Sequence, residues 1–199
     1  MTLYDQEQMD AEAAPADLRY AISTMLEMLG YNVDDLHFQG TPKRMAEVLW
    51  QYRKNGNNGE IGRLLDVKFS DDYESLVMVG PISVTALCSH HALPWLGNAW
   101  VGYLPDGKIC GLSKLARIVD FYSRQLTLQE RVTQEVADAL DVHLEPKGVM
   151  VVIKATHGCM TMRGVEEAEA ETVTSAVRGV FLTEASARQE FLALMRPKR

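Results

Sequence analysis

Between residues 75 and 181 the apolar pattern changes period twice, and this ordering constrains the fold more than any other feature of the chain. Residues 75–88 are rich in Val, Ile, Leu and Thr, and residues 97–104 form a second apolar run ended by Pro105-Asp106-Gly107. Both read as strands, with Gly80-Pro81 marking a break, bulge or edge position in the first. Leu115, Ile118, Val119 and Tyr122 then fall at i, i+3, i+4 and i+7, and Leu128, Val132, Val136 and Leu140 follow at fourfold spacing. Each set forms one apolar stripe, as on a helix lying against a sheet. After Pro146-Lys147-Gly148, residues 149–155 read as a buried strand and Thr172 to Phe181 as a last one. Two strands, two helices and two strands imply an α+β chain with an antiparallel sheet.

Ahead of this lies a helical region. Leu18, Ile22, Met25, Leu26 and Leu29 form a stripe closed by Gly30. Thr41-Pro42 reads as an N-cap followed by proline at the first helical position, with Met45, Val48, Leu49 and Tyr52 on the apolar face. Lys54-Asn55-Gly56-Asn57-Asn58-Gly59 reads as a loop. The expected organisation is a tail over 1–15, a helical region over 16–60 and a mixed region over 61–199.

At 199 residues and 47% apolar content, the chain is long enough to bury a core without staples. A net charge of −7 argues against a nucleic-acid partner, though not against a local basic pocket for a phosphate-bearing small molecule. No apolar run approaches the roughly 18 residues of a membrane span. The acidic start, with no Lys or Arg before Arg19, is unlike a targeting peptide. Cys88, Cys110 and Cys159 are odd in number and far apart, which points to a reducing, cytoplasmic setting with thiols available for metal or chemistry.

Chemistry concentrates in two short segments, each at a strand end. Cys88-Ser89-His90-His91 offers thiolate and imidazole at a spacing that can converge on one ion, and His157-Gly158-Cys159 offers the same pair. Together they can build a zinc site. Three ligands would leave a position for water, whereas Cys110 as a fourth would make the site structural. The alternative is free thiols and core histidines.

Ser113, Lys114 and Arg117 follow Gly111 at a helix start, where free N–H groups and added cations suit phosphate. A capped surface helix with solvated charges is the competing reading. Arg163 lies close in sequence to the His157/Cys159 pair. Thr127-Leu128-Gln129-Glu130 reads either as a capping box or as a carboxylate aimed at the donor edge of guanine. Trp50, Trp95 and Trp100 read as packing residues, His37 and His143 as surface residues, and Cys110 as a small buried hydrophobe.

Taken together, Thr41-Pro42-Lys43-Arg44-Met45-Ala46, Cys88-Ser89-His90-His91, Gly111 to Val119, Gln129-Glu130-Arg131-Val132-Thr133, His157-Gly158-Cys159-Met160, Met162-Arg163-Gly164 and Thr172-Val173-Thr174-Ser175 resemble the GTP cyclohydrolase I family, in order and at family spacing over roughly residues 40–195. The resemblance implies a tunnelling fold over 61–199: a four-stranded antiparallel sheet with two antiparallel helices on one face. Five such sheets would join edge to edge into a barrel, and two pentamers would stack into a homodecamer with active sites between subunits.

The resemblance also implies zinc held by Cys88, His91 and Cys159, with His90 and His157 handling protons. Glu130 would anchor guanine with Gln129 beside it. Ser113, Lys114, Arg117 and Arg163 would hold the triphosphate, with Arg44 reaching from a neighbouring subunit. The implied reaction converts GTP and water to 7,8-dihydroneopterin triphosphate and formate, feeding folate, biopterin or deazaguanine synthesis. One departure is Ser89, where the family usually has an acid.

Two other readings stand beside this one. A deazaguanine nitrile reductase of the same fold would use a nucleophilic cysteine and NADPH without catalytic zinc. A degenerate zinc-bound module would bind a pterin or nucleotide without turnover.

Overall fold

The computed structural model describes residues 13–53, 58–66, 68–164 and 166–195. The expected tail therefore lies outside the described residues apart from 13–15, as do residues 54–57 of the loop expected over 54–59. Two compact units divide after Arg53. In the first, α1 (Ala16–Met28) and α2 (Thr41–Gln51) bury Ile22, Leu26 and Ala46 together with Ala14. The cap of α2 sits one residue earlier than the sequence suggests. Gly40, at φ 77°, occupies the N-cap position, Thr41 is already helical, and Pro42 lies in the first turn. Glycine takes this left-handed conformation without the penalty a Cβ would bring.

The second unit opens with α3 (Asn58–Leu65), a helix the sequence reading missed because Asn58-Gly59 looked like loop. Its inner face is Ile61 and Leu65, four apart and both buried in the main core. The strands β1 (Lys68–Ser70), β2 (Val77–Cys88), β3 (Pro94–Leu104) and β4 (Lys108–Cys110) follow, with β1 and β4 forming a small antiparallel pair. Next come α4 (Leu112–Ser123), β5 (Leu126–Thr127), α5 (Gln129–Leu144), β6 (Gly148–His157), the one-turn α6 (Gly158–Thr161) and β7 (Thr172–Gly179). Two helices close the described chain, α7 (Val180–Thr183) and α8 (Ala185–Leu194).

The main sheet has the order β5-β2-β3-β6-β7. Its four long strands are antiparallel, as expected, and β2 shifts register between Val79 and Ile82, at the Gly80-Pro81 step. The expectation of four strands is corrected by β5, two residues that pair parallel to the end of β2. This pairing returns the chain leaving α4 to Cys88, where the Ser89 N–H also donates to the Thr127 carbonyl at 3.2 Å.

α4 and α5 cover one face of this sheet. Leu115, Ile118, Val119 and Tyr122 of α4, and Val132, Val136 and Leu140 of α5, are buried against Val84, Ala86, Val101, Val149, Val151 and Ile153. The other face is covered in part by the C-terminal helices. Phe181 and Phe191 meet edge to face, 6.3 Å between centroids, over Met150 and Val152. The expected last strand to Phe181 therefore stops at Gly179, because Phe181 belongs to this packing as part of α7. Coverage of both faces explains why β6 is an almost unbroken apolar run.

Candidate metal centre and active site

Three strand ends meet where β2, β3 and β6 are level. Cys88 is the last residue of β2 and is buried. A tight turn follows, in which the Cys88 carbonyl accepts from the N–H groups of His91 (3.3 Å) and Ala92 (2.8 Å), while the Cys88 N–H donates to Leu93 O at 2.8 Å. The turn leaves His90 and His91 exposed. β6 ends at His157, paired with Trp95, and Cys159 sits in α6 two residues on. Gly158 is needed there: a Cβ at this position would lie 2.9 Å from the Pro94 carbonyl oxygen.

The ligand atoms of Cys88, His91 and Cys159 all lie within 4.8 Å of one another. Zinc bonds of about 2.0–2.3 Å put tetrahedral ligands about 3.3–3.8 Å apart, so small side-chain movements close the set. Two thiols and an imidazole are zinc-type donors. Burial pushes the Cys159 thiol up, with the adjacent Cys88 adding to the shift and Arg163 opposing it. A bound cation would relieve that crowding.

Cys110 is not part of this group. It is buried on β4, its N–H donating to the Tyr103 hydroxyl at 3.1 Å, and burial raises its thiol while pushing Tyr103 up to about 12. Among the described residues, the candidate group therefore has three ligands. His90 lies alongside, its Nδ1 4.0 Å from the Cys88 Sγ.

Around this centre stand His157, Gln129, Glu130 and Arg163. His157 is half-buried, stacked on the buried Trp95 ring at 5.5 Å and 14°. Burial lowers its pKa and Glu130 acts in the opposite sense. Glu130 is exposed in the first turn of α5. The Gln129 side chain is fully buried, and both ends of its amide are occupied by protein groups. The capping box is not formed, for Thr127 is a strand residue and Leu128 holds the N-cap position without a side-chain bond. The Thr127 Oγ1 is buried without a partner.

Ser113, Lys114 and Arg117 lie along α4, and Arg44 lies in the first unit. Ser113 and Lys114 are in the first turn of α4, whose start follows β4 at the Tyr103 end of the sheet and whose end leads to β5 beside Cys88. The helix has 12 residues, so its start is about 18 Å from its end. Arg117 lies one turn further along. Arg44 belongs to the first unit, its Nη2 donating to Thr41 Oγ1 at 2.9 Å. The sequence shows Trp95 only as a packing residue and assigns no role to the hydroxyls of Thr133 and Thr174, which stand near Gln129. The contacts of each become visible only once the strands are paired.

The GTP cyclohydrolase I family profile matches residues 18–196. Among known proteins, a GTP cyclohydrolase 1 2 of Nostoc sp. is 44% identical over 190 residues, covering 95% of this chain and 88% of its own. A GTP cyclohydrolase 1 of Chlorobium chlorochromatii is 45% identical over 179 residues, covering 90% of this chain and 80% of its own. The Homo sapiens GTP cyclohydrolase 1 is 40% identical over 191 residues, covering 96% and 76%.

Proposed function

The chain belongs to the GTP cyclohydrolase I family, and from that premise we propose that it opens the imidazole ring of GTP hydrolytically, releasing formate and forming 7,8-dihydroneopterin triphosphate. The observation that carries this reading is the convergence of Cys88, His91 and Cys159 beside His157 and Glu130 at one end of the sheet.

Cys88, His91 and Cys159 would hold zinc, which when bound supplies the Lewis acidity that makes water nucleophilic near neutral pH. Glu130, exposed at the start of α5, accepts from the ring N–H and exocyclic amine of guanine, which lie in one plane. This fixes C8 and N7 near the histidines. His157 donates a proton at N7, making C8 electrophilic, and takes part in the transfers that release C8 as formate. His90 serves the later steps, in which the ribose opens, rearranges and closes onto the freed amine. Imidazoles suit such repeated transfers because they gain and lose protons near working pH.

Arg163 donates to the triphosphate from beside Cys159. Ser113, Lys114 and Arg117 come from a second copy, because within one chain the start of α4 is a helix length from the metal end. Arg44 joins them from a neighbouring subunit. Assembly of copies into a barrel, and of two barrels into a decamer, is supported by the sheet itself. Among the described residues, β7 is unpaired on its outer side, and β5 covers only the last two residues of β2. Open edges of this kind invite pairing with another copy. No described helix is long and apolar enough to cross a membrane, and the reading places the enzyme in the cytoplasm.

The test is incubation of metal-quantified protein with GTP, measuring formate together with fluorescent oxidised neopterin, with Cys88→Ala alongside. Both products in step, and both lost in the variant, are expected. Zinc-loaded, assembled protein giving neither product would overturn the reading in favour of a binding module.

A further inference from the structure

The Gln129 amide is held in one orientation by its surroundings. Its Nε2 lies 3.0 Å from Ile153 O, 3.1 Å from Thr172 O and 3.1 Å from Thr174 Oγ1. The two backbone carbonyls can only accept, so the atom facing them must be the NH2 group. The hydroxyls extend the constraint. Thr133 Oγ1 donates to Gln129 O at 2.7 Å, which uses its only hydrogen, so across the 2.7 Å contact Thr174 Oγ1 donates to Thr133. Thr174 is thereby left accepting from the amide, and the circuit closes on the residue where it began.

With the nitrogen assigned, the other end of the amide is an oxygen, and it lies 2.7 Å from His157 Nε2. An amide oxygen only accepts, so Nε2 must carry hydrogen. Stacking on Trp95 fixes the plane of the imidazole ring, and this bond fixes its direction within the plane. Nδ1 has no hydrogen-bond partner among the described residues, and it is not one of the buried unpartnered atoms, so it faces solvent.

We propose that Gln129 is a positioning residue that holds His157 as the Nε2–H tautomer, with the Nδ1 lone pair turned to solvent. Gln129 thus acts through His157 and makes no contact with substrate. The inference rests on His157 as the proton-handling residue for its catalytic meaning, but not for its structural content.

The test begins with 15N-histidine-labelled, zinc-loaded, full-length protein without GTP, at a pH where the ring is neutral. The His157 ring nitrogens should show hydrogen on Nε2 and none on Nδ1; the opposite pattern overturns the proposal whether or not the protein turns over GTP. Two variants follow. Gln129→Glu keeps an oxygen acceptor in either protonation state and should retain Nε2–H. Gln129→Leu removes the acceptor and should let the Nδ1–H form appear. In the Leu variant kcat should fall about 10- to 100-fold, with KM and zinc content held and the Glu variant less affected. A risen KM at constant kcat would mean that Gln129 touches substrate, and would overturn the positioning role. Absent cyclohydrolase activity with Nε2–H observed would refute the proposed function and leave the tautomer assignment standing.

Discussion

If the metal half and the phosphate half of a site come from different copies, two inactive variants should restore activity when mixed. Cys88→Ala removes a proposed metal ligand and should abolish turnover. Lys114→Ala removes a cation from the start of α4, about 18 Å of helix away from the metal end. Loss of one charge-assisted phosphate contact is about 1.5–3 kcal/mol, or roughly 10- to 150-fold in kcat/KM. In an assembly formed from equal amounts, half the metal ends and half the α4 starts are intact. With random neighbours, about a quarter of the sites combine two intact halves. The assay is formate release at subsaturating GTP after co-expression, or after joint unfolding and refolding, with unmixed variants as controls. Activity near a quarter of that of the unaltered protein is expected. Activity no higher than the mean of the two variants would mean that one chain supplies both halves, and the argument from the length of α4 would fail.

Gly158→Ala should weaken zinc binding more than it weakens the fold. The added Cβ meets Pro94 O at 2.9 Å and Met162 Sδ at 3.3 Å; overpacking of about 1–3 kcal/mol is offset by about 1 kcal/mol of helix preference, while displaced Cys159 should cost 10-fold or more in a chelator-competition titration. Unchanged zinc affinity would show that the close approach does not set the ligand. His157→Ala should retain zinc and lose neopterin formation, as judged by metal analysis beside product fluorescence; equal loss of zinc would remove the proton-handling assignment. Glu135, whose Oε2 is buried without a partner, has its carboxyl raised first by burial. A raised acid pKa penalises the fold above the folded value, and the penalty disappears below the unfolded one. Glu135→Gln should therefore raise the thermal midpoint at neutral pH, with the gain fading as pH falls through the folded value; a gain independent of pH would refute this.

Periodic features were legible in the sequence. Leu115, Ile118, Val119 and Tyr122 had one arrangement that buried them all, and the structure adopts it. The three proposed ligands were legible because each donor pair sits at the end of an apolar run, so that pairing both runs with the strand between them, β3, was enough to bring them together. What depended on contact between distant segments was not legible. Gln129 beside Glu130 looked like a polar helix start, and only the β6–β7 pair supplies the carbonyls that enclose it. Thr127 read as a cap because its neighbours fit the local motif, but pairing with Cys88 drew it into the sheet. α8 was missed because Phe191 is its one buried residue, too few for a helical stripe to be seen.

With zinc held as proposed, the pairing of Trp95 with His157 would tie retention of the ion to strand register. A slip of one residue between β3 and β6 would turn the imidazole to the opposite face of the sheet and carry Cys159 about 3.3 Å along the strand. Zinc sites tolerate errors of only about 0.2 Å in their bonds. A misaligned chain could not retain the ion, and the free energy of binding would go only to correctly aligned molecules. Metal uptake would thus act as a selection step during maturation, marking the chains whose strands are in the right alignment before any substrate arrives.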